Sequence, residues 1–188
     1  TDAHAYKNKN DGYVFNSGYG QNNFKGSAGI NRNWGFSRIT ISSFNLKLGI
    51  VEGGRDPVTG QFNQHLIAAD GTDSVAIVPD ALLKSYTHNL IIHQNVKHYK
   101  AIWDNSFAVG NGRLGLRLGF QQNHRQEAND ATLGNVYNIY YLLNTFNYDL
   151  RYTFTQKNNY VFSFGANGMQ QASQNKGLLF LVPAYHLF

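Results

Sequence analysis

The chain has 188 residues, of which 14% are charged and 14% aromatic, with no cysteine and a formal net charge of +5 at pH 7. This length suits a single domain, and the absence of cysteine excludes disulfides, thiolate metal sites and cysteine nucleophiles. The basic residues are scattered singly rather than gathered in a patch, which argues against a nucleic-acid partner. No apolar run approaches the ~18 residues of a membrane-spanning helix.

The two ends of the sequence suggest a piece of something longer. Thr1 opens a segment without the basic and apolar regions of a signal peptide. Residues 178–188 are largely apolar up to the last residue. We therefore expect a processed product or a fragment.

Alternation of apolar and polar residues predicts seven β-strands. The clearest example runs from Thr145 to Thr155, where Phe, Tyr and Leu occupy every second position and the positions between them are polar. Side chains at i and i+2 share one face of a strand, so each such segment has one apolar face and one polar face. The predicted strands lie near Tyr13–Tyr19, Phe24–Asn31, Ser37–Lys47, His88–Val109, Arg113–Gln121, Tyr137–Thr155 and Tyr160–Asn167.

Connections between these strands alternate in length. Tight turns are predicted at Arg32–Gly35, at Gly110–Gly112 and at Gln156–Asn159, and most of the connections between them are longer. The longest spans residues 48–87. Short turns on one side and long loops on the other are typical of outer-membrane barrels, and strands of ten or more residues suit a tilted crossing of a bilayer.

The sequence thus predicts an all-β fold of antiparallel, up-and-down transmembrane β-barrel strands with long extracellular loops. About seven or eight strands would form part of a larger barrel, because a sheet in hydrocarbon must close on itself. Residues 1–188 would be one partial outer-membrane barrel domain, with 48–87 as a long extracellular loop.

Several stretches resemble the barrel of TonB-dependent outer-membrane receptors of the Bacteroidetes type. They are residues 11–19 (DGYVFNSGY), 24–38 (FKGSAGINRNWGFSR), 53–62 (GGRDPVTGQF) and 112–127 (GRLGLRLGFQQNHRQE). The resemblance implies a cell outer-membrane location in a Gram-negative, Bacteroidetes-like bacterium and energised import of a scarce nutrient of the siderophore, vitamin or glycan class. Its implied partners are outer-membrane lipid, the rest of the barrel with its plug, the TonB system acting through that plug, and a small nutrient ligand.

Candidate ligand-binding residues follow from the strand faces and the long loop. Arg38, Arg117 and Arg151 fall on polar faces, so in a barrel they would face the lumen, where they would attract an anion or pair with carboxylates such as Asp149. Arg55 lies in the 48–87 loop, which would either touch ligand or pack against neighbouring loops. Trp103 is the fifth candidate.

No catalytic constellation, metal site or cofactor site is expected. There is no Gly-x-Ser-x-Gly elbow, phosphate-cradling glycine loop or His-Glu-x-x-His pair. His88, His93 and His98 are five residues apart, which puts neighbours on opposite faces of a strand. Residues 70–73 (DGTD) fit a plain turn better than a calcium loop.

Two other interpretations stay open at this point. A soluble or surface β-sandwich binding module, of the carbohydrate-binding or adhesin type, would use Trp34, Trp103 and surface tyrosines to stack on sugars, and periodicity alone does not exclude it. A complete barrel of eight strands would need residues 178–188 as its closing strand, which Pro183 disfavours.

Overall fold

The computed structural model describes residues 2–3, 6–10, 12–51, 54–67, 70, 72–79, 81, 83, 92–128, 137–155, 160–177 and 186–187. These residues form an all-β fold of antiparallel sheets. Its strands are β1 (Asp2–Ala3), β2 (Lys7–Asn8), β3 (Gly12–Tyr13), β4 (Tyr19–Arg32), β5 (Gly35–Gly49), β6 (Asn63–Ile67), β7 (Asp73–Ile77), β8 (His93–Val109), β9 (Gly112–Ala128), β10 (Ile139–Thr155), β11 (Val161–Asn175) and β12 (His186–Leu187).

Six long strands form the body of the molecule, each 14 to 17 residues long. They pair in the order β4-β5-β8-β9-β10-β11, so each long strand lies beside the next long strand in the chain. This is the predicted up-and-down order. The two-residue strands β1 and β12 pair with the outer edges of β4 and β11, and within the described residues the sheet does not close into a barrel.

Two tight turns set the register of the sheet. Asn33 and Trp34 connect β4 to β5, and Gly110 and Asn111 connect β8 to β9, both as predicted. Gly35 has a φ of 129°, a conformation that a side chain rarely adopts, and a Cβ there would lie 1.8 Å from the carbonyl oxygen of Ser106. Glycine at this position therefore lets β5 pass close to β8. The predicted turn at 156–159 lies outside the described residues.

The segment after β3 differs from the prediction made for it. A strand at Tyr13–Tyr19 is wrong, since Phe15 and Asn16 form a turn, and β4 begins at Tyr19. Asn16 adopts a φ of 58°, which Asn tolerates better than most residues. The predicted link at residues 20–23 is part of β4, so the described part of the chain has six long strands instead of seven.

The 48–87 connection, predicted as one long loop, contains secondary structure among its described residues. These include the antiparallel hairpin β6–β7 and a bridge between Arg55 and Phe62. The backbone N–H of Leu83 donates to Pro79 O at 3.3 Å, as a single helical turn would require. The connection is therefore partly folded.

A small buried core joins this connection to the N-terminal segment. Phe15, Phe62 and Val78 are buried against one another, with Val14 and Leu83 packed around them. The Asn16 side chain is also buried, and its Nδ2 donates to Ile50 O at 2.7 Å and to Ile92 O at 2.5 Å. One amide thus holds both ends of the long connection, where β5 ends and β8 begins.

Candidate functional site

The two faces of the main sheet differ sharply in chemistry near the tight turns. Residues that pair directly across antiparallel strands share a face, so the register assigns every side chain of the six long strands. We call the face that carries Phe146 the apolar face and the face that carries Arg117 the polar face. Arg38 lies on the polar face and Trp103 on the apolar face.

The apolar face is exposed rather than packed. On every long strand this face carries large side chains that remain 42% to 64% accessible. They include Phe24, Ile30, Ile39, Ile41, Trp103, Phe120, Phe146, Tyr148, Leu150, Phe162 and Phe164. Among the described residues no second layer covers them, because β6 and β7 pair only with each other and the buried core belongs to the long connection.

Aromatic rings gather where this face approaches the tight-turn end. Trp34 stacks on Phe107 with ring centroids 5.5 Å apart, and Phe154 stacks on Phe162 at 5.6 Å. The Tyr152 hydroxyl donates to Val109 O at 2.9 Å. Aromatic rings at the ends of an apolar band are the usual arrangement at a membrane–water interface.

An open, polar depression of about 470 Å³ lies on the polar face. We call it the cationic cradle. It is lined by Lys25, Ser27, Arg38, Thr40, Ser42, Lys100, Ile102, Asp104 and Arg117. These side chains come together because β4, β5, β8 and β9 are neighbours in the sheet and present them at adjacent rows.

Asp104 organises the charges in the cradle. Its Oδ2 lies 3.2 Å from Arg38 Nη2, and its Oδ1 lies 3.4 Å from Arg117 Nε. Asp149, the partner expected from the sequence, stands opposite Arg117 in the register but forms no ion pair within the described chain. With four cations against one carboxylate, the cradle keeps a net charge of +3, and its Ser and Thr hydroxyls add hydrogen-bond donors.

A second depression, of about 480 Å³, lies on the same face nearer the tight turns. Arg151 and Arg113 line it together with Ser106 and Thr153. Arg113 Nη1 donates to Ser106 Oγ at 3.1 Å. Three predicted arginines, Arg38, Arg117 and Arg151, therefore share one face but fall into two neighbouring sites.

The other two candidates lie elsewhere. Arg55 stacks over the Phe62 ring with its Cζ 4.0 Å from the ring centroid, and its Nη1 donates to Gly60 O at 2.7 Å. The side chain of Trp103 projects from the opposite face to the cradle, and its Nε1 donates to Ser37 Oγ at 2.9 Å. The structure does not bring Arg55 or Trp103 to the three arginines.

The turn around Arg55 is ordered by Asp56. Hydrogen bonds from the backbone N–H of Thr59, then from its hydroxyl, and a weaker one from Val58 N–H hold the pKa of Asp56 below its usual value of 3.8. This geometry is that of a capped turn, which fixes the Arg55 backbone where it bridges to Phe62.

No metal site is evident in the described part of the chain, where no three His, Asp or Glu side chains could hold an ion together. His93 and His98 point to opposite faces of β8, as their spacing predicted. His88 lies outside the described residues. Among these residues no helix is long and apolar enough to cross a membrane.

Three charged residues of the cradle were not predicted from the sequence, namely Lys25, Lys100 and Asp104. Each occupies a polar-face position in a predicted strand, but the sequence-based prediction assigned a face to none of them. What was missing was the register between β5 and β8, which places Arg38 beside Asp104. The pairing of Asp104 with Arg117 follows from the tight turn between β8 and β9. Cross-strand pairing of distant segments has no local signal in the sequence.

Comparison with known proteins assigns this chain to no family. A scan against protein-family models, a search of curated proteins and a search of solved structures each found no match to this chain. The functional argument below therefore depends on the sequence pattern and on the two faces of the sheet.

Proposed function

We propose that this chain forms a section of the wall of an outer-membrane β-barrel, with its apolar face against lipid and its polar face towards the lumen. The observation that carries the proposal is the apolar face itself, which spans six long strands and is uncovered in the described residues. The largest exposed apolar patch on a soluble monomer is ordinarily only ~300–600 Å². In water such a face would drive aggregation.

The dimensions of the apolar face support a bilayer as its environment. On β10 the apolar residues run from Phe146 to Phe154, eight steps of about 3.4 Å, or ~27 Å along the strand. A strand tilted by 35–45° would carry this band through about 20 Å of hydrocarbon, close to the ~25 Å band of known barrels. Within the described residues, the outer edges of β4 and β11 carry only two-residue partners, which leaves room for further wall strands.

The finer proposal is a TonB-dependent receptor that imports a scarce nutrient. The resemblance of four stretches of the sequence to such receptors supports it, and the cationic cradle on the lumen side would suit an anionic ligand or an acidic segment of a plug. A siderophore, a vitamin and a glycan all remain open as the cargo. The proposed partners are outer-membrane lipid, the rest of the barrel with its plug, and the TonB system.

Detergent dependence tests the membrane part of the proposal. The chain is purified with and without maltoside micelles, and its size distribution and β-type circular dichroism are compared. We expect a folded, monodisperse species only in the presence of micelles. A folded and monodisperse chain in plain buffer would favour a soluble binding module.

Tryptophan quenching gives a sharper version of the same test. The chain contains two tryptophans, Trp34 in a tight turn and Trp103 on the apolar face. In vesicles of brominated lipid, the Trp34→Phe variant, which keeps Trp103, is expected to be strongly quenched by bromines deep in the acyl chains. The Trp103→Phe variant should be quenched best by bromines near the headgroup.

The transport part needs the full-length gene product in cells. Uptake of labelled ferric siderophore, cobalamin and oligosaccharide is measured before and after a protonophore collapses the proton-motive force. Energised import predicts that the uptake of one of these cargoes stops. Uptake that continues unchanged would indicate a passive pore with the same wall.

A further inference from the structure

The charges of the six long strands are divided unequally between the two faces. All three carboxylates of these strands, on Asp104, Glu127 and Asp149, lie on the polar face. The apolar face carries no carboxylate on these strands, but it carries cations at both ends of its apolar band. One is Arg32, next to a tight turn, and the others are Lys47 and Lys97, near the long connection.

Lys47 and Lys97 form a compact pair, which we call the rim lysines. Lys47 is paired with Asn95, and Lys97 with Asn45, so the two lysines are diagonal neighbours on β5 and β8. Such neighbours lie about 7–8 Å apart, which lets two flexible ammonium groups converge on one anion. Both side chains are exposed, and neither forms an ion pair within the described residues.

The surroundings of the rim lysines mark the boundary of the apolar band that is nearer the long connection. Next to them on the same face, towards the tight turns, lies Tyr99, whose hydroxyl donates to Asn45 Oδ1 at 3.1 Å. Lys97 stands opposite His124, and Asn95 opposite Gln126. A row of amides and cations thus follows directly after the aromatic and aliphatic residues of the same face.

We propose that the rim lysines bind the phosphate groups of lipid headgroups in the outer leaflet. The proposal rests on the membrane-wall function above, because only a sheet with its apolar face in a bilayer presents these lysines at headgroup height. A basic residue close to an anionic membrane surface is attracted to it. A cargo in the lumen would meet the opposite face, so lipid is the occupant that this position fits.

Native mass spectrometry of the whole chain tests this. The chain is released from neutral maltoside micelles after incubation with diphosphoryl lipid A, or with phosphatidylcholine as an overall neutral lipid. The test variant is Lys47→Gln/Lys97→Gln. The control is Lys7→Gln/Lys9→Gln, which removes the same charge from the N-terminal hairpin β2–β3.

We expect the test variant to bind lipid A about 25-fold more weakly, at roughly fivefold per lysine, with phosphatidylcholine binding unchanged and the control equal to wild type. An equal loss in both variants would reveal only general charge attraction and would overturn the proposal. Full competition by inorganic phosphate at the same concentration would also overturn it, by showing a free-phosphate site.

Tryptophan quenching distinguishes a failure of the rim-lysine proposal from a failure of the proposed wall function. A wild-type chain that is quenched in brominated phosphatidylcholine vesicles but shows no preference for lipid A keeps the wall function and refutes the rim site. A chain that is folded in buffer and does not associate with micelles refutes both.

Discussion

At the scale of single residues, the functional surfaces depend on polar groups placed between strands that are distant in sequence. Asp104 lies between Arg38 and Arg117, which neutralises part of a strongly cationic surface. Asn16 joins the ends of β5 and β8 across a connection of more than forty residues. In both cases one short side chain satisfies two partners, so single substitutions there have defined consequences.

Removing the carboxylate of Asp104 is expected to strengthen anion binding in the cationic cradle. Asp104→Asn leaves Arg38 and Arg117 without their counter-charge, so the affinity for inorganic pyrophosphate should rise several-fold in calorimetric titrations in micelles. Stability should change by less than about 1 kcal/mol, because Arg38 and Arg117 are largely exposed. Glu127→Gln removes the same charge near the long connection and serves as the control. Equal affinity in Asp104→Asn and wild type would mean that the cradle does not bind this anion.

Asn16→Gly tests the amide that holds the long connection. Glycine keeps the positive φ without strain but removes both hydrogen bonds, at a cost of about 1–3 kcal/mol. Hydrogen exchange should become faster at the N–H groups of Gly49 and Ile50, which bond to Gly18 O and Ile92 O. Asn10→Gly, in an exposed turn, should leave these rates unchanged. Unchanged rates in Asn16→Gly would show that the strand ends are held without the amide.

At the scale of elements, the long connection and the tight turns behave differently. The tight turns have little freedom, because the strands that flank them pair up to the turn itself. The long connection carries its own hairpin, its own bridge and a small buried core. Its described residues are therefore partly folded and joined to the N-terminal segment, with Arg55 and Asp56 in a capped turn.

Gly35→Ala should disrupt the approach of β5 to β8. A Cβ at this position would meet Ser106 O at 1.8 Å, in a backbone conformation that already disfavours side chains. We expect a loss of more than about 2 kcal/mol in urea unfolding of the micelle-bound chain. Gly119→Ala, whose nearest contact would be 3.8 Å from Asn147, should be close to neutral. Equal stability of the two variants would contradict this role of Gly35.

Acid should loosen the turn at Asp56. Its folded-state pKa is lowered by the hydrogen bonds from Thr59, so its stabilising contribution is present above the unfolded value of 3.8 and is lost as the pH falls through the lower folded value. Hydrogen exchange of the Thr59 N–H, corrected for its intrinsic pH dependence, should lose protection below about pH 4. Asp56→Asn, which does not titrate, should remove this pH dependence. Protection that persists at low pH in the wild type would argue against a role for the carboxylate.

At the scale of the whole molecule, one sheet presents two incompatible surfaces to its surroundings. The total accessible surface is 12671 Å², against about 9,000 Å² for a compact soluble domain of 21.1 kDa. The exposed apolar face, which no second layer covers within the described residues, contributes to this excess. A lipid bilayer on one side and a lumen on the other would resolve this conflict.

A charge introduced on either face distinguishes the two environments. Phe146 and Asn147 are neighbours on β10 but lie on opposite faces. In vesicles, Phe146→Lys should lower stability by about 2–4 kcal/mol, because an ammonium group would enter hydrocarbon, whereas Asn147→Lys should have little effect. The measurement is urea unfolding followed by tryptophan fluorescence. Similar small effects of both substitutions would indicate that Phe146 does not face lipid.

Much of the fold was predictable from the sequence. The period-two pattern predicted the all-β class, the antiparallel up-and-down order, the tight turns at residues 33–34 and 110–111, and the polar face of Arg38, Arg117 and Arg151. It succeeded because alternation along a strand is a local property that one buried or lipid-facing surface imposes on every second residue. It failed at Tyr13–Tyr19, where a buried turn contains the same aromatic residues as a strand.

The sequence by itself therefore determined the strands, their faces and the polarity of each face. Only the tertiary structure decided the register between β5 and β8, which are separated by the long connection. It placed Asp104 between two arginines, put Lys97 beside Lys47 and closed the long connection with Asn16. The physical reason is that pairing between strands depends on hydrogen bonds and side-chain packing summed over the whole ladder, and no single segment encodes that sum.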